Sequence, residues 1–487
     1  MSGQDWASQM RHLTRRRLSA SLGAGCSTLL LAACGESVAP PAATPSGPTA
    51  PLATVEQRGP AALKGITADQ ALSAAPATPI PATAVPAGAT PSTPAAELSL
   101  WIGPGVSGQA AQVLDASLPQ FSAAHEAVSV TLQPKGRRDD QLKDAISAGT
   151  PPNVAAVASW DAADLATTGA TLDLAASISL DNEWAGWQED VFPELRRAYT
   201  WKDRLTAVPW WVTALGMLAN PDHLTEAGVT APEPVWSWQD FLETGRSVTQ
   251  PPDRYALGPR WTWSWFEAWL LSNGATLFSQ DTARVQFDSP EAMEAMAFIQ
   301  GFIEEGLAPA SDSPGLFRRR RATFDHAGLS DVALYRQRWR KEHPVIVLNV
   351  PRQQGALVRG ESQGLIGIRA DGAAQNEAAL ALVRWLTNPE QTMRLSLAEG
   401  TVFSPYATAS TAAETVAYGR EHSEWQFFYE LAAAAAPSQA VPSSRAIQGL
   451  MTKWVQQVLG KQVALAEGLQ QGQREMQQFL DRDHQES

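Results

Sequence analysis

The body of this 487-residue chain predicts an α/β fold, with sheets covered by helices, on two observations. Short apolar and β-branched runs alternate with longer segments whose apolar residues recur at helical spacing. The stretch from about residue 97 to the end is also long enough for two lobes, each with its own core. In order, 98–102 reads as a strand leading into Gly103-Pro104-Gly105, and 107–124 as a helix. A second strand is expected at 128–132, a short helix at 139–148 and a third strand at 154–158. Further helices are expected at 236–247, after Trp236-Ser237-Trp238, and at 289–305, where Asp288-Ser289-Pro290-Glu291 supplies a cap. Others fall at 374–387, at 388–399 and, as one long C-terminal helix, within 446–481. In open sheets of this kind ligands sit beyond the carboxyl ends of the strands, so Trp101–Gly103 and Trp160-Asp161 reach the ligand side.

Ahead of the body lies an export signal. Arg11 and Arg15-Arg16-Arg17 form a basic n-region, and 18–33 is apolar or small, too short to span a bilayer comfortably. It closes on Leu31-Ala32-Ala33 before Cys34, a pattern that resembles a lipobox, after which the cysteine is lipidated and becomes N-terminal. Residues 1–34 are therefore expected to be a lipoprotein signal with its lipobox cysteine, with Cys34 the lipidation site. Thr14-Arg15-Arg16-Arg17-Leu18 also resembles a twin-arginine signal, so the export route stays open. Residues 35–96 are almost all Ala, Pro, Thr, Ser and Gly, without an aromatic. Such a chain buries too little to offset its ordering entropy, which predicts a disordered tether between anchor and body.

Charge narrows the ligand. Residues 1–33 carry four Arg and one Asp, a net of +3, so the rest of a chain whose formal charge is -13 stands near -16. An acidic body argues against nucleic acid and anionic lipid head groups as partners. Cys26 and Cys34 are the only cysteines, so the body is expected to have neither disulfide nor thiol chemistry. Tryptophan is unusually common at 18, outnumbering both Phe and Tyr. A flat indole suits the C–H face of a sugar while its N–H still donates a hydrogen bond. In Trp261-Thr262-Trp263-Ser264-Trp265 the alternation would put three indoles on one side of an extended segment.

A family resemblance then emerges from pieces in order along the body. The segment 141–154, from Gln141 through Gly149-Thr150-Pro151-Pro152-Asn153 to Val154, resembles a helix, small-residue turn and third strand. Asp203–Trp210 resembles a "G-x-hydrophobic-x-x-x-P" crossing strand. Asn220-Pro221-Asp222-His223-Leu224, Ala227-Gly228-Val229 and 234–241 resemble "N-x-D-L-x-x-x-A-G-hydrophobic … P-x-T-W-x-E-hydrophobic". Asn273-Gly274-Ala275, 287–292 and 383–390, with Asn388-Pro389-Glu390, follow in register. Together these resemble the extracellular solute-binding proteins of ABC importers, in the sugar-binding, maltose-binding-protein-like family.

That resemblance implies a two-lobed periplasmic-binding-protein-like fold, each lobe a sheet flanked by helices, joined by crossing hinge segments near 209–213, 359–365 and 412–417. One lobe takes 97–210 and 364–414, the other 211–363 and 415–487. It implies a carbohydrate, mono- or oligosaccharide, held in an aromatic-lined cleft by hinge closure and delivered to ABC transporter permease subunits. The lipid anchor is then the membrane attachment, on the extracytoplasmic face, and no cofactor or metal is implied. Matching positions nominate Trp101, Gly103 and the 105–108 turn, Trp160 and Asp161, and Trp210 and Trp211 beside the first crossing. From the other lobe come Trp261, Trp263 and Trp265, then Ser330 and Asp331 in the 328–331 loop, and Phe403 in the 402–405 element near the cleft.

The chain departs from the family pattern in places. No Tyr precedes Asn220, and the 328–331 loop lacks its usual aromatic. Arg318-Arg319-Arg320-Arg321 stands where the family has Phe-x-x-Gly-Lys-Ala; it reads as a solvated loop, and in the cleft it would imply an anionic ligand such as a uronic acid. No histidine pair at metal-ligand spacing, Gly-x-Ser-x-Gly elbow or Walker loop is present. The rival readings are an exported glycoside-acting enzyme, using paired cleft carboxylates, and a ligand sensor of the same fold not coupled to transport.

Overall fold

A computed structural model describes residues 96–486 except 104–105, 107, 126–127, 135–140, 234 and 340–344. The signal with Cys34, the tether up to 95 and Gly105 lie outside the described residues.

Twelve strands are described: β1 (Ala96–Ile102), β2 (Val128–Pro134), β3 (Val154–Ala158), β4 (Thr200–Trp201), β5 (Arg204–Leu205), β6 (Val208–Ala214), β7 (Gly216–Ala219), β8 (Tyr255–Leu257), β9 (Ala322–Ala327), β10 (Ile346–Leu348), β11 (Val358–Gly367) and β12 (Ala435–Pro437). They build a larger sheet in the order β12-β11-β3-β1-β2, with β6 also on β11, and a smaller sheet in the order β10-β7-β9-β8. β1 runs parallel to both β2 and β3. Leu98, Leu100 and Ile102 are buried on one side, against Leu114, Leu118 and Phe121 of the Gly108–Ala124 helix and Leu382, Val383 and Leu386 of the Ala373–Leu386 helix. This is the α/β architecture expected, two helix-flanked sheets.

Two strands tie the sheets together. β6 lies in the larger sheet, and after Leu215 the chain continues directly into β7 of the smaller one. β10 ends in the smaller sheet and the chain returns as β11, whose 360–365 stretch pairs antiparallel with β6. The approach is close: a Cβ on Gly364 would stand 2.9 Å from both the Ala207 Cβ and a Tyr199 ring carbon. Position 412–417, where a third crossing is expected, is helical (Ala413–Glu421), and the later β12 still belongs to the larger sheet.

Local chemistry explains the element ends. Asn388 and Ser289 each cap a helix through the side chain, with Pro at the first turn, and Ser237 forms a capping box with Asp240. Asp203, at the place of the family's glycine, adopts φ 60° in the β4–β5 turn, a conformation Asp tolerates better than most side chains. Two expectations fail. The long C-terminal helix is two, Ser444–Leu459 and Leu465–Glu486, because Gly460 caps the first and Lys461 turns left-handed at φ 56°. The 261–265 segment is not extended, since a helix starts at Trp263 (Trp263–Ser272). Among the described residues no helix is long and apolar enough to cross a membrane.

Candidate functional site

A cavity of about 860 Å³ lies between the two sheets, within the ~300–1,000 Å³ typical of small-molecule sites. The larger sheet contributes the ends of β1 and β3, with Trp101, Gly103, Trp160 and Asp161, and the crossing strands, with Trp211, Thr213, Arg359 and Glu361. From the smaller-sheet side come Arg260, Thr262, Ser264 and Trp265, His326 near the end of β9, and Ser330 and Asp331, which lie in the first turn of the Leu329–Trp339 helix rather than in the expected loop. The carboxyl ends of β1 and β3, where the strand-end rule expects a ligand, thus open onto the cavity. Gly103 packs so close to Gln363 that an added Cβ would stand 3.0 Å from its Nε2.

The sequence candidates divide. Trp101, Gly103, Trp160, Asp161, Trp211, Trp265, Ser330 and Asp331 line the cavity. Trp210, Trp261 and Phe403 do not. Trp210 is fully buried among the apolar residues behind β6, Phe403 is fully buried and stacks on Tyr429 at 5.1 Å, and Trp261 is buried edge-on against Trp265 at 4.6 Å. Once the helix starts at Trp263, the period-2 alternation no longer aligns three indoles. Trp263 is half-buried and does not line the cavity; Trp160 meets it edge-on at 5.8 Å and the Arg359 guanidinium lies over its ring at 4.8 Å. Arg318–Arg321 are also away from the cavity. Arg320 pairs with Asp222 at 2.5 Å, and Arg321 donates to the carbonyls of Pro252 and Asp253.

Most charges in the site are already engaged. Both carboxylate oxygens of Asp161 accept from Arg445 on the Ser444–Leu459 helix, at 2.5 and 2.6 Å. Lys143 pairs with Asp164, and the Glu399 carboxylate accepts from the Thr401 hydroxyl. Asp331 accepts from the Gly328 amide at 3.1 Å, and burial raises its pKa above the usual carboxylate range. Burial, reinforced by the positive charge of Arg359, lowers the pKa of His326 to about 3, so its ring is neutral at physiological pH. Burial also pushes Asp325 up to about 7, against the pull of Arg260 and the Tyr335 hydroxyl, which donates to it at 3.0 Å.

Several deep polar atoms have no protein partner: Nε1 of Trp211 and of Trp265, both ring nitrogens of His326, and Nη2 of Arg359. A buried donor left unpaired costs free energy, so these atoms favour a ligand that presents oxygen. Arg359, His326, Arg260 and Arg445 escaped the sequence reading. One signal was available: Glu267 is the single charge in a mostly apolar helix, and a buried carboxylate demands a cation, which proves to be Arg359 at 3.2 Å. Among the described residues no group of three side chains is arranged to hold a metal ion.

Residues 117–427, more than half of the chain, match the family model described as bacterial extracellular solute-binding protein. No curated protein sequence is significantly similar. Among solved structures, the cyclic alpha-maltosyl-1,6-maltose binding protein of Arthrobacter globiformis superposes with a TM-score of 0.69 at 17% identity, over 80% of this chain and 99% of that one. The sugar-binding protein MalE of Xanthomonas citri gives 0.65 at 17% identity, over 80% and 98%. The GacH receptor of Streptomyces glaucescens, solved with acarbose, gives 0.64 at 17% identity, over 79% and 98%. With two helix-flanked sheets joined by crossing strands around a deep cavity, and a family match spanning both sheets, the chain belongs to the bacterial extracellular solute-binding protein family.

Proposed function

We propose that this protein is a lipid-anchored, extracytoplasmic receptor that captures a mono- or oligosaccharide between its lobes and delivers it to an ABC permease by hinge closure. The observation that carries the reading is the cavity itself: four indoles, of Trp101, Trp160, Trp211 and Trp265, surround a polar floor with hydrogen-bonding atoms to spare. Aromatic faces combined with fixed donors suit sugar rings, which are apolar on their C–H faces and polar at their edges. The lobes in this reading are 97–210 with 364–414 and 211–363 with 415–487; residues 211–214 of β6, 358–363 of β11 and β12 pair within the larger sheet. β6 and β11, the paired strands that continue from one sheet to the other, form the hinge. Ligand touching both lobes favours the closed form, which is the form a permease reads. Neighbouring structures of proteins described as binding cyclic maltosyl-maltose and acarbose support the ligand class. The signal, lipobox and tether read in the sequence support anchoring through Cys34.

A thermal-shift screen over neutral sugars, uronic acids and polyols tests the ligand class, because a ligand that binds only the folded state raises Tm by mass action. A concentration-dependent rise with at least one saccharide is expected. A flat response across the whole panel overturns the reading.

A further inference from the structure

Arg359 is 1% exposed, yet it lines the cavity from the crossing strand β11. Its guanidinium is held on nearly every side. The face lies 4.8 Å from the Trp263 ring centroid, Nε donates to Glu267 at 3.2 Å, and Nη1 donates to Glu361 at 3.1 Å. Glu267 is buried and held in turn by the Ser438 hydroxyl at 2.6 Å. Nη2, also buried, has no protein partner. The indole N–H groups of Trp211 and Trp265, likewise buried and unpartnered, line the same cavity. We propose that Arg359 is the donor that reads the ligand, and that Glu361, paired with it, is the residue that keeps acidic sugars out.

Charge and fixed geometry set these two roles, which rest on the carbohydrate reading above. Held by three contacts, the guanidinium presents Nη2 at a set point with little side-chain entropy left to lose on binding. A ligand without an acceptor at that point leaves the donor unpaired, which makes the position discriminating. One positive charge faces two carboxylates, Glu267 and Glu361, so the cluster has no positive surplus for a third. A hydroxyl or ring oxygen accepts from Nη2 without penalty, whereas a uronate carboxylate would stand beside the half-exposed Glu361. The remaining cavity cations offer little relief. Lys143 pairs with Asp164, and Arg260 at the rim is offset by Asp331 close by.

Calorimetric titration of the full chain decides this, with a neutral saccharide that scores in the thermal-shift screen and its uronate counterpart as the two probes. Wild type should bind the uronate at least about tenfold more weakly than the neutral sugar. Glu361→Gln should raise the uronate-to-neutral affinity ratio by about tenfold, and Arg359→Lys should weaken the neutral ligand by about tenfold or more, since one ammonium cannot reproduce three directed donors. An unchanged ratio in Glu361→Gln, or wild-type affinity in Arg359→Lys, overturns the proposal. If Arg359→Lys does not fold, Glu361→Gln decides, because that side chain is half-exposed. Wild-type preference for the uronate overturns this proposal while the carbohydrate reading stands. Absence of binding to either class in wild type removes both.

Discussion

Breaking the Asp161–Arg445 pair should loosen ligand binding by destabilising the closed form. Asp161 opens the Ser159–Thr167 helix beside β3, whereas Arg445 opens the Ser444–Leu459 helix, which packs on Trp263–Ser272. The pair therefore spans the cavity side of the two lobes, beside the edge-on contact of Trp160 and Trp263. Its geometry is bidentate, which favours strength, but the Arg445 side chain is 36% exposed against 13% for Asp161, so solvent screening discounts it. About 1 kcal/mol is a reasonable net contribution to the closed state, which corresponds to roughly fivefold in affinity. The assay is a double-mutant cycle of Asp161→Asn, Arg445→Gln and both together, read by saccharide titration at low and high salt. Each single change should weaken binding about fivefold, the double should cost little more, and the loss should shrink at high salt. Unchanged affinity together with a lowered Tm of the ligand-free protein would refute the reasoning and make the pair purely structural.

Other outcomes follow from burial and charge. Trp160→Ala should cost binding with little change in Tm, since Trp160 is only half-buried at the cavity, whereas Trp210→Ala should cost about 3–5 kcal/mol of stability by opening a void in the core, as chemical denaturation would reveal. Stability should fall as pH drops through the range from about 6.5 to 3: the native state holds His326 near 3 and His223 near 4, so the unfolded chain takes up those protons first, and calorimetry of His326→Gln should find a shallower acid limb. Asp325 acts in the opposite sense, because its folded pKa near 7 keeps it protonated where the unfolded carboxyl is ionised; Asp325→Asn should therefore raise Tm at pH 8 more than at pH 5. Cys34→Ala should move the protein from the membrane fraction to the soluble one, and continued membrane association would remove the anchor.

Legibility in the sequence tracked the range of the interactions involved. β1 and β3 were readable because short apolar runs bounded by turn residues are a local signal, and the strand-end rule then located Trp101, Trp160 and Asp161. The 261–265 segment misled because alternation there was local too, but helix initiation at Trp263 and burial of Trp261 overrode it. Asp161 was read as a ligand acceptor. Its partner Arg445 lies 284 positions away, beyond what any local pattern conveys. The same holds for the cluster around Arg359, where Glu267, His326, Arg359 and Ser438 come from four separated segments and no spacing rule unites them. Arg318–Arg321 form a charge run in sequence, but none lines the cavity, and Arg320 and Arg321 bond to neighbours elsewhere.

The most direct test of the account is lobe closure on saccharide binding, measured by energy transfer between dyes on two introduced cysteines, one per lobe. The body has no cysteine of its own, so Cys26 and Cys34 are the only ones to replace. Transfer efficiency should change on titration with a saccharide that binds and should saturate at one equivalent. Calorimetric binding of that saccharide with no change in transfer would contradict capture by hinge closure.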